Sequence, residues 1–458
     1  MIQYETLQVI STKLEIVVTK FESVLSRKNS NGLSQEEEWQ FKRVKYVLIK
    51  ESLDKAIEDL KAWQDAFDPS WYLIMKAATP QIDLELARVT HSSNRTSLSS
   101  AKSLRAALKG NEATANPIFL PEDGLESIRE FDIPFSSAKL GERSQSGKIL
   151  IMDQITCLPH ADVAMLAKDI RDLARKLSHS DPATFGLLNC KGVIKHMRNS
   201  SNQPPTFTFV FRIPEEFSEP RSLRSRLLEQ NPHHSLSDRF KLACDLAKAI
   251  SYVHTFGFVH KNVRPETILI FKTAASTIGS VSLVGFENFR TAEGWTLRSG
   301  DSSWEKNLYR HPRRQGPKPE DKYIMQHDIY SLGVCLLELG LWESFVAYEE
   351  SRGIVSPSAA LGLPTEHLGA RGISVTKDHL VSLARGLLPS RMGNKFAEIV
   401  ETCLTCLDEN NADFGDEHEF TDSDGILVGV RYIEKVNPIS MNLRKRQDSL
   451  SPGHHETK

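Results

Sequence analysis

The run His-Lys-Asn-Val-Arg-Pro-Glu-Thr, residues 260–267, contains polar and charged side chains that could take part in catalysis or ligand binding. Asn262, Arg264 and Thr267 are spaced so that an amide, a cation and a hydroxyl would lie on one short loop. An amide does not accept a proton at ordinary pH, so Asn262 is not a general base. A second cluster follows at Gly285-Phe286-Glu287, where Glu287 is the carboxylate that could hold a hard cation such as Mg²⁺.

Four segments resemble, in chain order, the C-lobe of a protein kinase. They are similar to the catalytic loop H-R-D-x-K-P-x-N, the D-F-G segment, the A-P-E end of the activation segment and the buried helix D-x-[WY]-S-x-G. Four motifs at suitable spacings are specific, whereas one alone would not be. The resemblance covers about residues 130–436, and the four segments are residues 252–270, 283–290, 309–314 and 327–343.

The resemblance implies that the positions for phosphoryl transfer are degenerate. The family's proton-accepting carboxylate is replaced by Asn262, and the loop lysine is replaced by Arg264. Of the two family residues that hold the metal, the loop asparagine becomes Thr267 and the D-F-G aspartate becomes Gly285. Mg²⁺ is normally held by carboxylates, and Glu287 stands two positions late. We therefore predict no metal site and no Mg²⁺, and ATP is the one cofactor that the resemblance leaves open.

Other positions retain what the family uses to build the site. His260 and Pro265 keep the histidine and the turn of the loop, and Phe286 keeps the middle of the metal segment. Asp328 is implied to accept backbone N–H groups from the catalytic loop. The alternative for Asp328 is an ordinary carboxylate at a helix start. In place of A-P-E the chain has His311-Pro312-Arg313, so the family's glutamate is lost.

Periodic patterns of apolar residues predict the helices and strands around these residues. We predict the helix before the catalytic loop at residues 236–254, the strand that enters the hinge at residues 206–213 and the single N-lobe helix at residues 161–177. A phosphate-covering loop is sought at residues 140–148, which contain only Gly141 and Gly147 and no G-x-G-x-x-G. The strand at 148–154 has no lysine where V-A-I-K would place it.

Two short motifs in the second half of the chain do not change this interpretation. Asp413-Phe414-Gly415 spells D-F-G but lies about 150 residues after the loop, which puts it outside the cleft of this fold. Cys403 and Cys406 are spaced like a zinc or redox pair, but no second pair accompanies them, and we interpret them as structural.

Residues 1–110 show apolar positions at steps of three and four, which predicts a helical bundle. The alternative is an apolar stripe that binds a partner helix or a membrane surface. Residues 63–74, WQDAFDPSWYLI, resemble the HeLo-like (prion-inhibition and propagation) helical domains of fungal proteins. The resemblance implies a fungal protein with such a domain before a divergent kinase-like domain, and the chain is expected to begin partway into it.

Length and composition restrict the function classes. The 458 residues suggest two to three domains, and 57 basic against 59 acidic residues exclude a dedicated nucleic-acid binder. Six scattered cysteines fit a reducing, cytoplasmic location rather than a disulfide scaffold. The longest apolar stretch, residues 330–342, is too short to span a membrane and contains Glu338.

We therefore predict an α+β, protein kinase-like bilobal fold preceded by an all-α helical bundle. The predicted parts are a HeLo-like bundle at 1–110, a linker at 111–130, a kinase-like domain at 131–436 and a disordered tail at 437–458. The N-lobe would end near residue 213 and the C-lobe would begin near 214. The predicted function is a pseudokinase that binds protein partners as a scaffold or signalling module, with the bundle as effector or oligomerisation domain. The alternatives are a divergent ATP-dependent protein Ser/Thr kinase and a membrane-active bundle regulated by the kinase-like part.

Overall fold

The computed structural model of the chain describes residues 118–122, 128–143, 147–157, 162–196, 205–229, 234–274, 276–286, 289–291, 302–319, 322–349, 354–363 and 376–411. The predicted bundle at 1–110, most of the linker and the tail at 437–458 lie outside the described residues, and so do Glu287 and Asp413-Phe414-Gly415. The domain boundaries that fall there stay predictions.

The first lobe is built on a six-stranded sheet in the order β1-β5-β6-β4-β3-β2. Neighbouring strands are antiparallel except for β1, which pairs in parallel with β5. All residues of β6 except the last are buried, because β6 lies in the middle of the sheet. The strands are β1 (Phe119–Leu120), β2 (Ile128–Asp132), β3 (Lys139–Arg143), β4 (Ile149–Thr156), β5 (Asn189–His196) and β6 (Thr206–Arg212).

One long helix, α1 (Val163–Leu177), packs against this sheet through Ile170, Leu173 and Leu177, which are fully buried. Asp162 caps its start by accepting the N–H groups of the second and third helical residues. A short helix, α2 (Pro182–Phe185), leads into β5. The predicted helix at 161–177 and strand at 206–213 are thus confirmed to within two residues at each end.

The second lobe contains the longer helices of the domain, together with short strands. Its helices are α3 (Leu223–Leu227), α4 (Leu236–Thr255), α5 (Trp304–Asn307), α6 (Met325–Leu341), α7 (Lys377–Met392) and α8 (Asn394–Leu404). Its strands are β7 (Ser218–Ser222), β8 (Phe258–Val259), β9 (Ile268–Thr273), β10 (Ser276–Leu283), β11 (Arg290–Thr291), β12 (Val346–Glu349) and β13 (Ile354–Pro357). Three-residue 3₁₀ turns lie at Pro265–Thr267, Pro312–Arg314 and Ala359–Leu361.

Helix α6 is the centre of the second lobe, and every residue from Gln326 to Leu341 is buried. Two of its glycines allow close helix packing. A Cβ at Gly333 would lie 2.8 Å from the Cβ of Cys403, and one at Gly340 would lie 2.7 Å from Leu388 Cδ2. Burial on all sides explains why α6 has apolar residues on every face, beside buried polar side chains such as those of Asp328 and Glu338. Among the described residues, no helix combines the length and the hydropathy needed to cross a membrane.

The expected position of the phosphate-covering loop was wrong. The connection that faces the second lobe is the loop of residues 133–138 between β2 and β3, because Pro134 and Phe135 contact residues of that lobe. Of residues 140–148, the first four belong to β3, and residues 144–146 lie outside the described residues. The error has a simple cause: the loop Ile-Pro-Phe-Ser-Ser-Ala contains no glycine that would mark it.

Candidate functional site

The loop that follows β8 is held in place by one buried carboxylate. Asp328, near the start of α6, accepts the backbone N–H groups of His260 at 2.8 Å and Lys261 at 2.9 Å. It also accepts the Tyr323 hydroxyl at 2.7 Å and lies 3.0 Å from His254 Nε2. Burial alone would raise the pKa of Asp328, but the hydrogen bond and charge of His254 keep this pKa below its ordinary value. The carboxylate therefore fixes the loop backbone at two successive residues.

His260 lies at the inner side of this loop. Burial lowers the pKa of His260 to about 4, so the imidazole is neutral at pH 7. Its Nε2 is 3.1 Å from the carbonyl oxygen of Val284 and therefore donates to it. The ring lies 4.8 Å from that of Phe286, measured between centroids. His260 thus joins the loop to the segment at 284–286 and has a structural task there.

The polar groups of Asn262, Arg264 and Thr267 are directed at one another and at Gly285. The Asn262 amide donates to the carbonyl oxygen of Gly285 at 3.1 Å, and its Oδ1 accepts from Arg264 Nε at 3.0 Å. Thr267 Oγ1 lies 2.8 Å from the carbonyl oxygen of Asn262 and accepts the Arg264 N–H at 3.2 Å. Pro265 opens the 3₁₀ turn between them. The structure therefore brings the predicted loop residues together in one hydrogen-bonded unit.

Gly285 lies so close to Thr267 that position 285 has no room for a side chain. A Cβ at Gly285 would lie 2.3 Å from Thr267 Cγ2 and 2.7 Å from Thr267 Cβ. Gly285 also has φ +83°, a conformation that L side chains rarely adopt. With this backbone, position 285 cannot carry a carboxylate.

A residue that the sequence analysis missed lies opposite this segment. Asp153, on β4, is buried, with 1% of its surface exposed. Its Oδ2 accepts the backbone N–H groups of Gly285 and of Phe286, each at 2.9 Å. Strand β4, which has no lysine at the position where V-A-I-K would place it, thus presents a carboxylate to the second lobe. The signal in the sequence is one acid in the otherwise apolar run Ile-Leu-Ile-Met-Asp.

Phe286 is held by aromatic rings from both lobes. Its ring centroid lies 6.3 Å from that of Phe209, 6.5 Å from that of Phe211 and 6.3 Å from that of Phe289. Phe209 and Phe211 belong to β6 of the first lobe. Because Phe286 is fully buried, the segment that begins at Gly285 is fixed on both sides, by hydrogen bonds and by aromatic packing.

A second charged network lies beneath the loop and was also missed. Arg224, on α3, is fully buried and donates to Glu266 Oε1 at 3.0 Å, Glu338 Oε1 at 2.7 Å and Ser344 Oγ at 2.6 Å. It also donates to the hydroxyl of Tyr309. Burial disfavours the charge of Arg224, but the carboxylate of Glu338 raises the pKa of the guanidinium well above its ordinary value. A permanently charged group therefore joins α3, α6 and the turn at Pro265–Thr267.

Metal-binding groups are not gathered in the part of the chain that the structure describes. No three histidine, cysteine, aspartate or glutamate side chains lie there in an arrangement that could hold a metal ion. Cys403 and Cys406 are buried, and burial raises the pKa of Cys403 to about 12. Cys406 Sγ lies 3.2 Å from the carbonyl oxygen of Gln326. The two thiols therefore pack between α8 and the start of α6.

Comparison with known proteins places this region in context. A family model described as protein tyrosine and serine/threonine kinase matches residues 183–343. A protein kinase and PP2C-like domain-containing protein of Arabidopsis thaliana is 27% identical over 159 residues, 33% of this chain and 23% of that protein. A probable serine/threonine-protein kinase of Dictyostelium discoideum is 26% identical over 163 residues, 34% of this chain and 9% of that protein.

A third relative is the eukaryotic translation initiation factor 2-alpha kinase 1 of Rattus norvegicus. It is 30% identical over 117 residues, 24% of this chain and 18% of that protein. In these three relatives the matched segment spans less than a quarter of the relative's own length.

Proposed function

We propose that the protein kinase-like domain of this chain does not transfer phosphate and acts as a binding module, a pseudokinase, in signalling. Phosphoryl transfer needs a proton acceptor, carboxylates that hold Mg²⁺ and cations that hold the phosphates. By the family resemblance, Asn262 takes the place of the proton acceptor, and Thr267 and Gly285 take the places of the two metal ligands. None of the three side chains supplies a carboxylate.

The observation that carries the proposal is the position of Asp153. Its carboxylate approaches the cleft from β4 and occupies the two backbone N–H groups at Gly285 and Phe286. A carboxylate repels phosphate at short range, whereas the lysine of an active kinase attracts it. A carboxylate at this position therefore lacks the attraction for ATP phosphates that the lysine of an active kinase supplies, which supports the proposal.

The packing of Gly285 against Thr267 supports the same conclusion. A carboxylate at position 285 would need both a different backbone conformation and more space. One substitution could not restore the metal ligand, because the neighbouring side chain occupies its place. This packing supports the proposal that the site has no carboxylate ligand at position 285.

The parts that would hold a binding surface are retained. Asp328 still fixes the catalytic-loop backbone, and Arg224 still joins α3 to α6. A rigid two-lobed body without catalysis is suited to binding a protein partner. In this proposal, residues 1–110 are the HeLo-like effector or oligomerisation domain, and the protein is fungal and cytoplasmic.

A phosphate-transfer assay tests the proposal. The purified full chain is incubated with radiolabelled ATP, a general protein substrate and either Mg²⁺ or Mn²⁺. We expect no more incorporation than with heat-denatured protein. Incorporation that is lost in Thr267→Ala or Glu287→Ala, and retained in the surface variant Asp132→Ala, would overturn the proposal.

The second candidate function is a divergent protein Ser/Thr kinase. It is favoured by the relatives named as serine/threonine kinases. In that case Glu287 would supply the metal ligand, and the assay above would show Mg²⁺-dependent transfer. The membrane-active bundle depends on residues 1–110, and leakage of liposomes caused by the full chain would favour it.

A further inference from the structure

The loop of residues 133–138 contacts the second lobe at two points. Ser222, the last residue of β7, donates its hydroxyl to the carbonyl oxygen of Pro134 at 2.7 Å. The ring of Phe135 lies 4.7 Å from the ring of Tyr348 on β12, at an interplanar angle of 55°. Aromatic pairs at this distance attract each other beyond their simple burial. The loop is therefore held against the second lobe.

The backbone of Phe135 is strained. Its φ is 55°, in the left-handed region that a bulky residue rarely adopts. Strained residues persist where surrounding contacts hold them, and they cluster at clamps and switches. At Phe135 the contacts that hold the strained residue are the ring of Tyr348 and the hydrogen bond from Ser222 to the preceding carbonyl group.

Tyr348 has a second contact below the cleft. Its hydroxyl donates to Glu266 Oε1 at 2.9 Å. Glu266 lies in the turn Pro265–Thr267 of the catalytic-loop segment and is bound by the buried Arg224. Tyr348 itself is anchored in a two-stranded hairpin, in which it pairs with Val355 of β13. One side chain on a firm support thus touches the loop of the first lobe and the turn of the second.

We propose that Tyr348 is an intramolecular strap that keeps the two lobes closed at the mouth of the cleft. Phe135 is the upper contact of the strap, and Glu266 is the lower one. The loop 133–138 then opens only when the contact between Phe135 and Tyr348 breaks. The inference rests on the proposed function in one respect, because it takes the closed cleft as the resting state of a domain that does not turn over nucleotide.

Hydrogen–deuterium exchange of the full chain, measured by mass spectrometry, tests the strap. The variants are Phe135→Ala and Tyr348→Ala, and the matched control is Phe131→Ala, whose ring is on β2 and 48% exposed. The amide of Ser136, which donates to the carbonyl oxygen of Ile133 at 3.0 Å, is the reporter. We expect exchange in residues 133–138 to become about tenfold faster in both variants, equal to about 1.4 kcal/mol, and to change less than about twofold in the control.

A milder variant separates the two contacts if Tyr348→Ala unfolds the protein. Tyr348→Phe keeps the ring and removes the hydrogen bond to Glu266. We expect faster exchange at the amide of Thr267, which donates to the carbonyl oxygen of Arg264, and little change in residues 133–138.

Two results would overturn the strap. One is unchanged exchange in residues 133–138 of folded Phe135→Ala and Tyr348→Ala. The other is unchanged exchange at Thr267 in Tyr348→Phe. Failure of the proposed function would look different, because it would be Mg²⁺-dependent phosphate transfer by the wild-type chain, which does not affect the exchange comparison.

Discussion

The carboxylate of Asp153 lies 2.9 Å from the backbone nitrogen of Gly285, so a strand of the first lobe is hydrogen-bonded to a loop of the second. The same oxygen accepts the N–H of Phe286. Two backbone donors converging on one buried carboxylate resemble an anion site that the chain fills with its own side chain. This relationship links β4 of the first lobe to residues 285–286 of the second and helps to hold the two lobes together.

Replacing Asp153 by alanine should destabilise the protein. The substitution leaves two buried N–H groups without their acceptor, which costs about 1–3 kcal/mol in the free energy of unfolding. Urea denaturation measures the change. The control is Asp132→Ala in the same sheet, because the side chain of Asp132 is 88% exposed and its loss should change stability by less than about 0.5 kcal/mol. Equal stability of the two variants would contradict the role given to Asp153.

Replacing Gly285 by alanine should destabilise the protein by about 2–5 kcal/mol. The positive φ accounts for about 1–2 kcal/mol, and the overlap of the new Cβ with Thr267 adds about 1–3 kcal/mol. Gly257→Ala is the matched control, since Gly257 has φ +79° but nothing within 4 Å of a new Cβ. Gly257→Ala should therefore lose only the stability that depends on the positive φ, about 1–2 kcal/mol. If the two variants melt at the same temperature, the packing argument for position 285 is wrong.

Replacing Asp328 by alanine should destabilise the second lobe by about 3–5 kcal/mol, because a buried hydrogen-bonded network loses its central acceptor. Asp378→Ala tests the alternative of an ordinary helix-start carboxylate, since Asp378 is exposed in the first turn of α7. A carboxylate of that kind contributes about 0.3–1 kcal/mol. Similar losses in both variants would return Asp328 to the helix-start interpretation.

The stability of the protein should fall between pH 7 and pH 5. Burial and the nearby His311 lower the pKa of His327 to about 3, and burial lowers that of His260 to about 4. In the unfolded chain both histidines become protonated below about pH 6.5, so the unfolded state binds more protons in this range. Each buried histidine should then cost about 2 kcal/mol of folding free energy at pH 5 relative to pH 7.

His327→Asn isolates one of these contributions. The asparagine oxygen can take over the hydrogen bond that His327 Nδ1 accepts from the N–H of Ile324. The charged neighbours Arg314 and Asp328 stay in place in this variant. Its loss of stability from pH 7 to pH 5, measured by urea denaturation, should be smaller than that of the wild type by about 2 kcal/mol. An equal loss would show that His327 is not the group involved.

The sequence allowed the second lobe to be predicted better than the first. Asp328 and the loop at 260–267 belong to motifs in which neighbouring residues carry the pattern, so their positions follow directly. The loop at 133–138 has no glycine, and its role appears only when the strands pair and bring Phe135 to Tyr348. Phe135 and Tyr348 are 213 positions apart in the chain, and Asp153 is also far from Gly285. No local pattern in the sequence therefore indicates either contact. Contacts between residues so far apart in the chain can be identified only from the three-dimensional structure.

Nucleotide affinity measured with and without Mg²⁺ shows whether the cleft holds a metal ion beside the nucleotide. The thermal stability of the full chain is measured with increasing ATP, once in Mg²⁺ and once in EDTA. Because the proposal puts Thr267 and Gly285 in the places of the family's metal ligands, we predict that any nucleotide binds about as well in EDTA as in Mg²⁺. An affinity that rises tenfold or more on adding Mg²⁺, about 1.4 kcal/mol, would contradict the account and favour the divergent kinase.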